Sequence, residues 1–137
     1  MTSDIIRLIE QYESAGSFTY AAVSDDKLYE AEKRLSVELP DQYKAFLRRY
    51  GHGGLDGFEV IGVAKNGKLL FVDVTMLYRQ HGLPNQFIVI EDCDEWIYCI
   101  DCNAGSVVYW EHGEVAPAFD CFDAYLMDRL NDSIENR

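Results

Sequence analysis

The spacing of the apolar residues changes part-way along the chain, and this change limits the possible folds more than any other feature. In residues 3 to 14 and again in residues 43 to 50, apolar side chains recur at positions i, i+3, i+4 and i+7, the period of an amphipathic helix. Between them, Ser24 is a favourable N-cap for a further helix. The first fifty residues therefore predict three helices, with the buried residues Ile5, Leu8, Ile9, Tyr12, Leu28, Ala31, Leu35, Tyr43, Phe46, Leu47 and Tyr50.

After the glycine-rich run GHGGLDG the pattern changes to one that is typical of strands. Residues 58 to 63 and residues 68 to 72 flank Asn66-Gly67, and this dipeptide between apolar runs is a strong signal for a β-hairpin. Residues 73 to 82 favour a short helix that Gly82 and the following proline terminate. The middle of the chain is therefore predicted to contain a hairpin followed by one short helix.

The last third of the sequence predicts a meander closed by a helix. Three strands joined by DCD and NAG turns are expected at residues 87–91, 95–102 and 106–111. A last helix opens near Asp120 and is expected to bury Phe122, Tyr125, Leu126 and Leu130. Helices, then strands, then a helix predict an α+β fold, with one domain over residues 1–137 and a central, mostly antiparallel sheet packed against the N-terminal and C-terminal helices.

The composition is that of a globular protein, with 48% hydrophobic and 26% charged residues among 137. No stretch approaches the roughly 20 apolar residues of a membrane helix, so no membrane partner is expected. The N-terminal run MTSDIIRLIEQYES lacks the charge pattern and cleavage site of a signal peptide. A cytoplasmic location is therefore predicted.

The acidic residues are unevenly distributed. The chain has 24 acidic and 12 basic residues, and no Lys or Arg lies between Gln80 and Asp128, an interval that carries −10 of the net charge of −12. An acidic segment of this kind disfavours contact with nucleic acid and accelerates encounter with a basic partner. The alternative is that the acidic residues only keep the protein soluble. The basic side chains Lys44, Arg48 and Arg49 on one helix do not offset this background, so nucleic-acid binding is not expected.

The cysteines and histidines do not form a recognisable metal or redox motif. Cys99 and Cys102 form a CxxC, but strand alternation places them on opposite faces, and reduced, structural thiols are predicted. The histidines are scattered, no nucleophile elbow occurs, and the glycine-rich run lacks the Lys-Ser/Thr ending of a phosphate loop. No cofactor, no metal and no catalytic activity are therefore expected. An enzyme that uses its many carboxylates for acid–base chemistry is an alternative, but no sequence motif supports it.

One pattern in the first half of the chain is distinctive. A capped helix is followed by a leucine-proline pair, by a helix with aromatic and apolar residues, and by a glycine turn. Further along the chain come a strand that ends in Gly62, and then Arg79 ahead of a second leucine-proline pair. This arrangement resembles the SUKH superfamily, although His52 stands where family members often carry Asn. The resemblance is carried by Ser24, Leu28, Glu32, Leu35, Leu39, Pro40, Tyr43, Phe46, Leu47, Gly51, Gly53, Gly54, Gly62, Arg79, Leu83 and Pro84.

The resemblance implies an α+β fold and a function in protein binding. Many bacterial SUKH proteins are immunity proteins that bind and block the toxin domain of a polymorphic toxin, commonly a nuclease or a deaminase. Fungal members instead regulate cell-wall signalling through their partners. The expected function is thus neutralisation of a cognate basic toxin domain, a nuclease. The alternative is a regulatory protein-binding scaffold with no toxin partner, and the sequence leaves the oligomeric state open.

The acidic segment is the candidate binding region. Carboxylates between residues 91 and 123 are predicted to occupy the cationic cleft of a toxin in place of its substrate, with tryptophan anchors at the interface. The predicted partner-binding residues are Glu91, Asp92, Asp94, Glu95, Trp96, Trp110, Glu111 and Glu114.

Overall fold

The computed structural model describes all residues from 1 to 137. Four helices precede a four-stranded sheet, and a fifth helix closes the chain. The helices are α1 (Ser3–Tyr12), α2 (Asp25–Leu35), α3 (Asp41–Tyr50), α4 (Leu70–Arg79) and α5 (Phe122–Glu135). The strands are β1 (Phe87–Asp92), β2 (Ile97–Asp101), β3 (Ser106–Glu111) and β4 (Glu114–Phe119). The predicted α+β fold is confirmed.

The N-terminal helices form as their sequence predicts. The Ser24 hydroxyl accepts a hydrogen bond from the Lys27 N–H at 3.2 Å and so satisfies one free donor at the start of α2. Glu32 on the same helix accepts the Leu39 N–H at 2.8 Å, which fixes the chain before Pro40 leads into α3. Ser24 and Glu32 of the motif therefore both have structural contacts.

The prediction for residues 58–63 and 68–72 is wrong in its secondary structure. The Asn66-Gly67 turn is present, since the Ala64 N–H donates to the Lys68 carbonyl at 2.9 Å, but only isolated bridges such as Val63 with Leu69 form around it. The backbone of the first segment bonds instead to the glycine turn and to the edge of β1. Helix α4 begins at Leu70, because a helical conformation buries Phe71, Val72 and Thr75 together.

The sheet is antiparallel throughout, with the order β1-β2-β3-β4. Three of its strands were predicted, and β4 was not. Its sequence EVAPAF lacks a buried alternating face, and Pro117 lies within it. Proline is tolerated on an edge strand, where its missing N–H would face away from the sheet.

One aromatic and aliphatic core joins the helices to the sheet. Tyr43 of α3 packs edge-on against Phe71 at 5.5 Å and against Phe122 at 5.3 Å between ring centroids. Its hydroxyl donates to the Ile61 carbonyl at 2.6 Å, so a fully buried phenol stays paired. The buried residues predicted for the last helix, Phe122, Tyr125, Leu126 and Leu130, all lie in this core.

The glycine turn after α3 is a close approach between two backbone segments. A Cβ atom at Gly62 would overlap the carbonyl oxygen of Gly51. The Gly62 N–H donates to Nδ1 of His52 at 3.0 Å, so the histidine has a structural contact here. The turn therefore positions α3 against the segment before α4.

Candidate partner-binding surface

Two turns bring the acidic residues to one end of the sheet. In the first turn, between β1 and β2, the Asp94 N–H donates to the Asp92 carboxylate at 2.9 Å, and Asp94 adopts a left-handed φ of 67°. In the second turn, His112 and Gly113 have φ values of 49° and 84°, the conformation of a two-residue type I′ hairpin. Because the strands are antiparallel, both turns project from the same end of the sheet.

The second turn places two like charges side by side. Glu111 and Glu114 are directly opposite each other in the β3–β4 register, and both are exposed. Like charges in such a cross-strand pair destabilise a hairpin. The hairpin carries this cost without a neighbouring cation, because neither glutamate takes part in any ion pair of the structure.

Other acids at this end also lack a cation. Asp92, Asp94 and Glu95 are exposed and are absent from the ion pairs, which involve carboxylates elsewhere in the fold. We call the exposed acids Asp92, Asp94, Glu95, Glu111 and Glu114 the acidic end of the sheet. Its field is unscreened by protein cations and is therefore directed at solvent or a partner.

The two predicted tryptophans lie at this end but on opposite faces of the sheet. Trp96 contacts Tyr109 with 6.3 Å between ring centroids. It lies on the same face as Tyr98, which packs against Tyr125 of α5. Trp110 meets Tyr78 of α4 edge-on at 5.9 Å. The β2–β3 register explains this, since Ile97 is opposite Trp110 and adjacent residues of a strand point to opposite faces.

Two neighbouring grooves connect these residues. The larger has a volume of about 730 Å³ and lies along Trp96, Tyr109 and the β3–β4 turn as far as Ala116. The smaller, of about 210 Å³, lies between Tyr78, Trp110 and the β1–β2 turn. Both grooves are lined by Trp96, Glu111 and His112. The fold thus joins residues from two turns into one continuous surface.

Glu91 does not belong to this surface, which corrects the prediction that it is an accessible carboxylate. It is 3% exposed, and it accepts hydrogen bonds from the Tyr125 hydroxyl at 2.7 Å and from Arg129. The cause is a bulge between Val89 and Glu91, after which Glu91 is opposite Tyr98. The extra residue turns Glu91 towards α5, whereas regular alternation would place it on the other face.

The same buried environment affects nearby titratable groups. Burial, together with the Glu91 charge and hydrogen bond, raises the pKa of the Cys93 thiol to about 12. Burial also raises the pKa of Tyr78, and the Asp92 carboxylate adds to this shift. These groups are therefore held in their neutral forms and leave the acidic end as the charged part of the surface.

The cysteines and histidines are not brought together. All four cysteines are free, Cys99 is buried within the sheet, and Cys102 is half-buried beyond it. No group of three His, Cys, Asp or Glu side chains has the arrangement of a metal site. The helices are also too short or too polar for any of them to cross a bilayer.

The sequence pattern and this geometry agree with a comparison against known families. The family model SUKH_5, described as SMI1-KNR4 cell-wall, matches residues 3–131. The chain belongs to the SUKH superfamily. Among solved structures, it is similar to the crystal structure of a protein from Pseudomonas syringae pv. tomato, with a TM-score of 0.77 and 19% sequence identity over 93% of this chain and 96% of that chain. At this identity the likeness shows a shared fold.

The prediction for this SUKH protein missed Tyr109, His112 and the strand β4 at the candidate surface. Tyr109 and Trp110 are adjacent in a predicted strand, so alternation places their side chains on opposite faces of the sheet. The register with β2 then shows that Tyr109 shares a face with Trp96. The HGE turn after Trp110 was also readable as a hairpin signal, since Gly113 follows a strand. The exposed β4 strand had no such signal.

Proposed function

We propose that this SUKH protein is an immunity protein, which binds and neutralises a cognate basic toxin domain, a nuclease, in the cytoplasm without catalysing a reaction. The observation that supports this is the acidic end of the sheet, where exposed carboxylates from two turns gather beside Trp96 and Trp110 with no cation between them. A nuclease grips phosphates with cationic side chains, and such a cleft is complementary to this surface.

The charges and the tryptophans have different parts in the proposed complex. Exposed carboxylates accelerate encounter with a basic protein and contribute modestly to affinity once screened by salt. Half-buried aromatic side chains supply the apolar contact area that keeps a complex together. The acidic end is therefore expected to control the association rate, and Trp96 and Trp110 the dissociation rate.

The first experiment is a co-expression rescue. A candidate toxin domain from a gene beside this one is induced in a sensitive host with and without this protein, and the two proteins are then co-purified. Survival with a stable complex supports the proposal, and neutralisation should need stoichiometric amounts because no turnover is involved. Death despite good expression, with no complex, would overturn it and favour the regulatory scaffold.

Charge reversal maps the surface. The triple variant Glu95→Lys, Glu111→Lys and Glu114→Lys should slow association by at least tenfold at low salt, with less effect at high salt. The matched control reverses exposed glutamates outside the surface that have no ion pair, Glu30→Lys, Glu38→Lys and Glu135→Lys. If both triple variants slow association equally, the acidic end acts only through the net charge of the protein and is not the binding surface.

A further inference from the structure

One edge strand of the sheet, β1, is hydrogen-bonded by other segments of the chain, and the other edge strand, β4, is not. At β1, the Ile90 carbonyl accepts the Ile61 N–H at 2.8 Å and the Val89 N–H donates to the Thr75 hydroxyl at 2.9 Å, so this edge is covered. At β4, no backbone hydrogen bond exists outside the ladder with β3. The open edge of an otherwise covered sheet is a template for pairing with another strand.

Pro117 shows which backbone groups of β4 point outwards. A proline in a paired strand lies where its missing N–H would face away from the neighbouring strand. Since the direction of backbone groups repeats every second residue, Val115 directs its N–H and carbonyl outwards as well. The outward groups are thus the N–H of Val115 and the carbonyls of Val115 and Pro117, and the register shift that follows ends the regular part of the edge.

The groove of about 730 Å³ borders this short edge. It is lined by Val115 and Ala116 from the edge itself and by Trp96, Tyr109, Glu111 and Glu114 beside it. A strand added at β4 would place every second side chain over the face that carries Tyr109 and Glu111. A side chain entering there meets aromatic rings and two carboxylates that have no cation of their own.

We propose that β4 accepts a short extended segment of the partner, paired to Val115 and Pro117, with an Arg or Lys side chain of that segment in the Trp96–Tyr109 groove. A cation there would relieve the repulsion between Glu111 and Glu114 and lie against an aromatic ring. The ring of Trp96 lines the same groove and supplies a second aromatic surface against which that cation can lie. This inference rests on the proposed function and names the element of the toxin that is bound.

The test uses nuclear magnetic resonance with a defined probe, the capped peptide Val-Arg-Val-Arg-Val, and a control peptide with Glu in place of both Arg residues. The arginine peptide should shift the backbone amide of Val115 and the indole N–H of Trp96, and the control peptide should not. Glu111→Gln with Glu114→Gln should weaken binding of the arginine peptide about three- to tenfold, as expected for the loss of exposed charge pairs. Glu30→Gln with Glu135→Gln is the matched control.

A backbone variant tests the pairing itself. Val115→Pro removes the outward N–H and leaves the bonds to β3 in place, while Val115→Thr keeps the N–H and serves as control. With the toxin domain, Val115→Pro should weaken the complex and Val115→Thr should not, and the Val115 amide of the parent protein should exchange with deuterium more slowly in the complex.

The outcomes separate this inference from the proposed function. A toxin complex that forms while Val115→Pro binds normally and the Val115 amide stays unprotected overturns strand addition and leaves the immunity function intact. Peptide binding at β4 without any toxin complex overturns the immunity function and leaves the basic-strand site standing. An arginine peptide that fails to bind at millimolar concentration, or binds no better than its acidic control, overturns the inference.

Discussion

Arg129 of α5 holds the carboxylate of Glu91 through two hydrogen bonds, from Nε at 3.0 Å and from Nη2 at 2.8 Å. The two side chains are 16% and 4% exposed, and the Tyr125 hydroxyl donates a third hydrogen bond to the carboxylate at 2.7 Å. Burial opposes the charge on Arg129, but the hydrogen bond and charge of Glu91 outweigh it and raise the pKa of the guanidinium. This pair ties the edge strand β1 to the last helix.

Replacing Arg129 with Met is expected to lower the free energy of unfolding by about 3–5 kcal/mol, because the charge of Glu91 would stay buried without its partner. The double variant Glu91→Gln with Arg129→Met should recover much of this loss, since it removes the uncompensated charge. Urea unfolding followed by circular dichroism measures both. The control is Arg7→Met, whose exposed ion pair with Asp4 should contribute less than about 1 kcal/mol. Equal losses for both arginines would contradict the buried pair.

Neutralising the cross-strand pair should stabilise the free protein while weakening its complex. The variant Glu111→Gln with Glu114→Gln removes the repulsion between directly opposed charges, which is worth about 0.2–1 kcal/mol. Chemical denaturation reports the stability, and the association rate with the toxin domain reports the function. A variant that is less stable than the parent protein would show that these carboxylates have a structural partner.

Tyr43→Phe should lower the free energy of unfolding by about 1–3 kcal/mol, because the Ile61 carbonyl would lose its donor in the core. The ring contacts with Phe71 and Phe122 are kept by this substitution, so the loss reports the hydroxyl alone. Thermal or urea unfolding measures it. The control is Tyr29→Phe, since Tyr29 is 63% exposed and should change stability little.

Stability should fall as the solution becomes alkaline. Burial raises the pKa of Cys102 from its ordinary value of 9.0 to about 12, with the Asp101 charge adding to the shift. The unfolded chain therefore ionises this thiol before the folded protein does. The contribution of the thiol to stability is fully present below pH 9.0 and is lost between pH 9.0 and about 12. Cys93 acts in the same direction.

Urea unfolding at about pH 8 and about pH 10.5 measures this decline. The variant Cys102→Ala should make the dependence on pH shallower, because one of the buried thiols is then absent. An unchanged free energy of unfolding between the two conditions would mean that the thiols reach solvent in the folded protein.

The helices were predictable because their signals are local. Ser24 caps α2 and Tyr43, Phe46, Leu47 and Tyr50 share a face at a fixed spacing, and both properties depend on residues within a few positions. Residues 58–63 have a strand-like composition, yet their partners are the glycine turn and the edge of β1, which are distant in sequence. β4 is a strand through its pairing with β3 rather than through its own residues.

The sequence by itself determined the first three helices, the last helix, three strands of the antiparallel meander, the excess of acid between Gln80 and Asp128 and the resemblance that leads to the SUKH superfamily. Only the tertiary structure decided which acids form one surface. One bulge before Glu91 reverses the direction of its side chain and buries it, while two turns bring Glu95 and Glu111 to the same end of the sheet. The physical reason is that strand register and bulges are set by long-range packing, and a shift of a single residue moves a side chain from one face to the other.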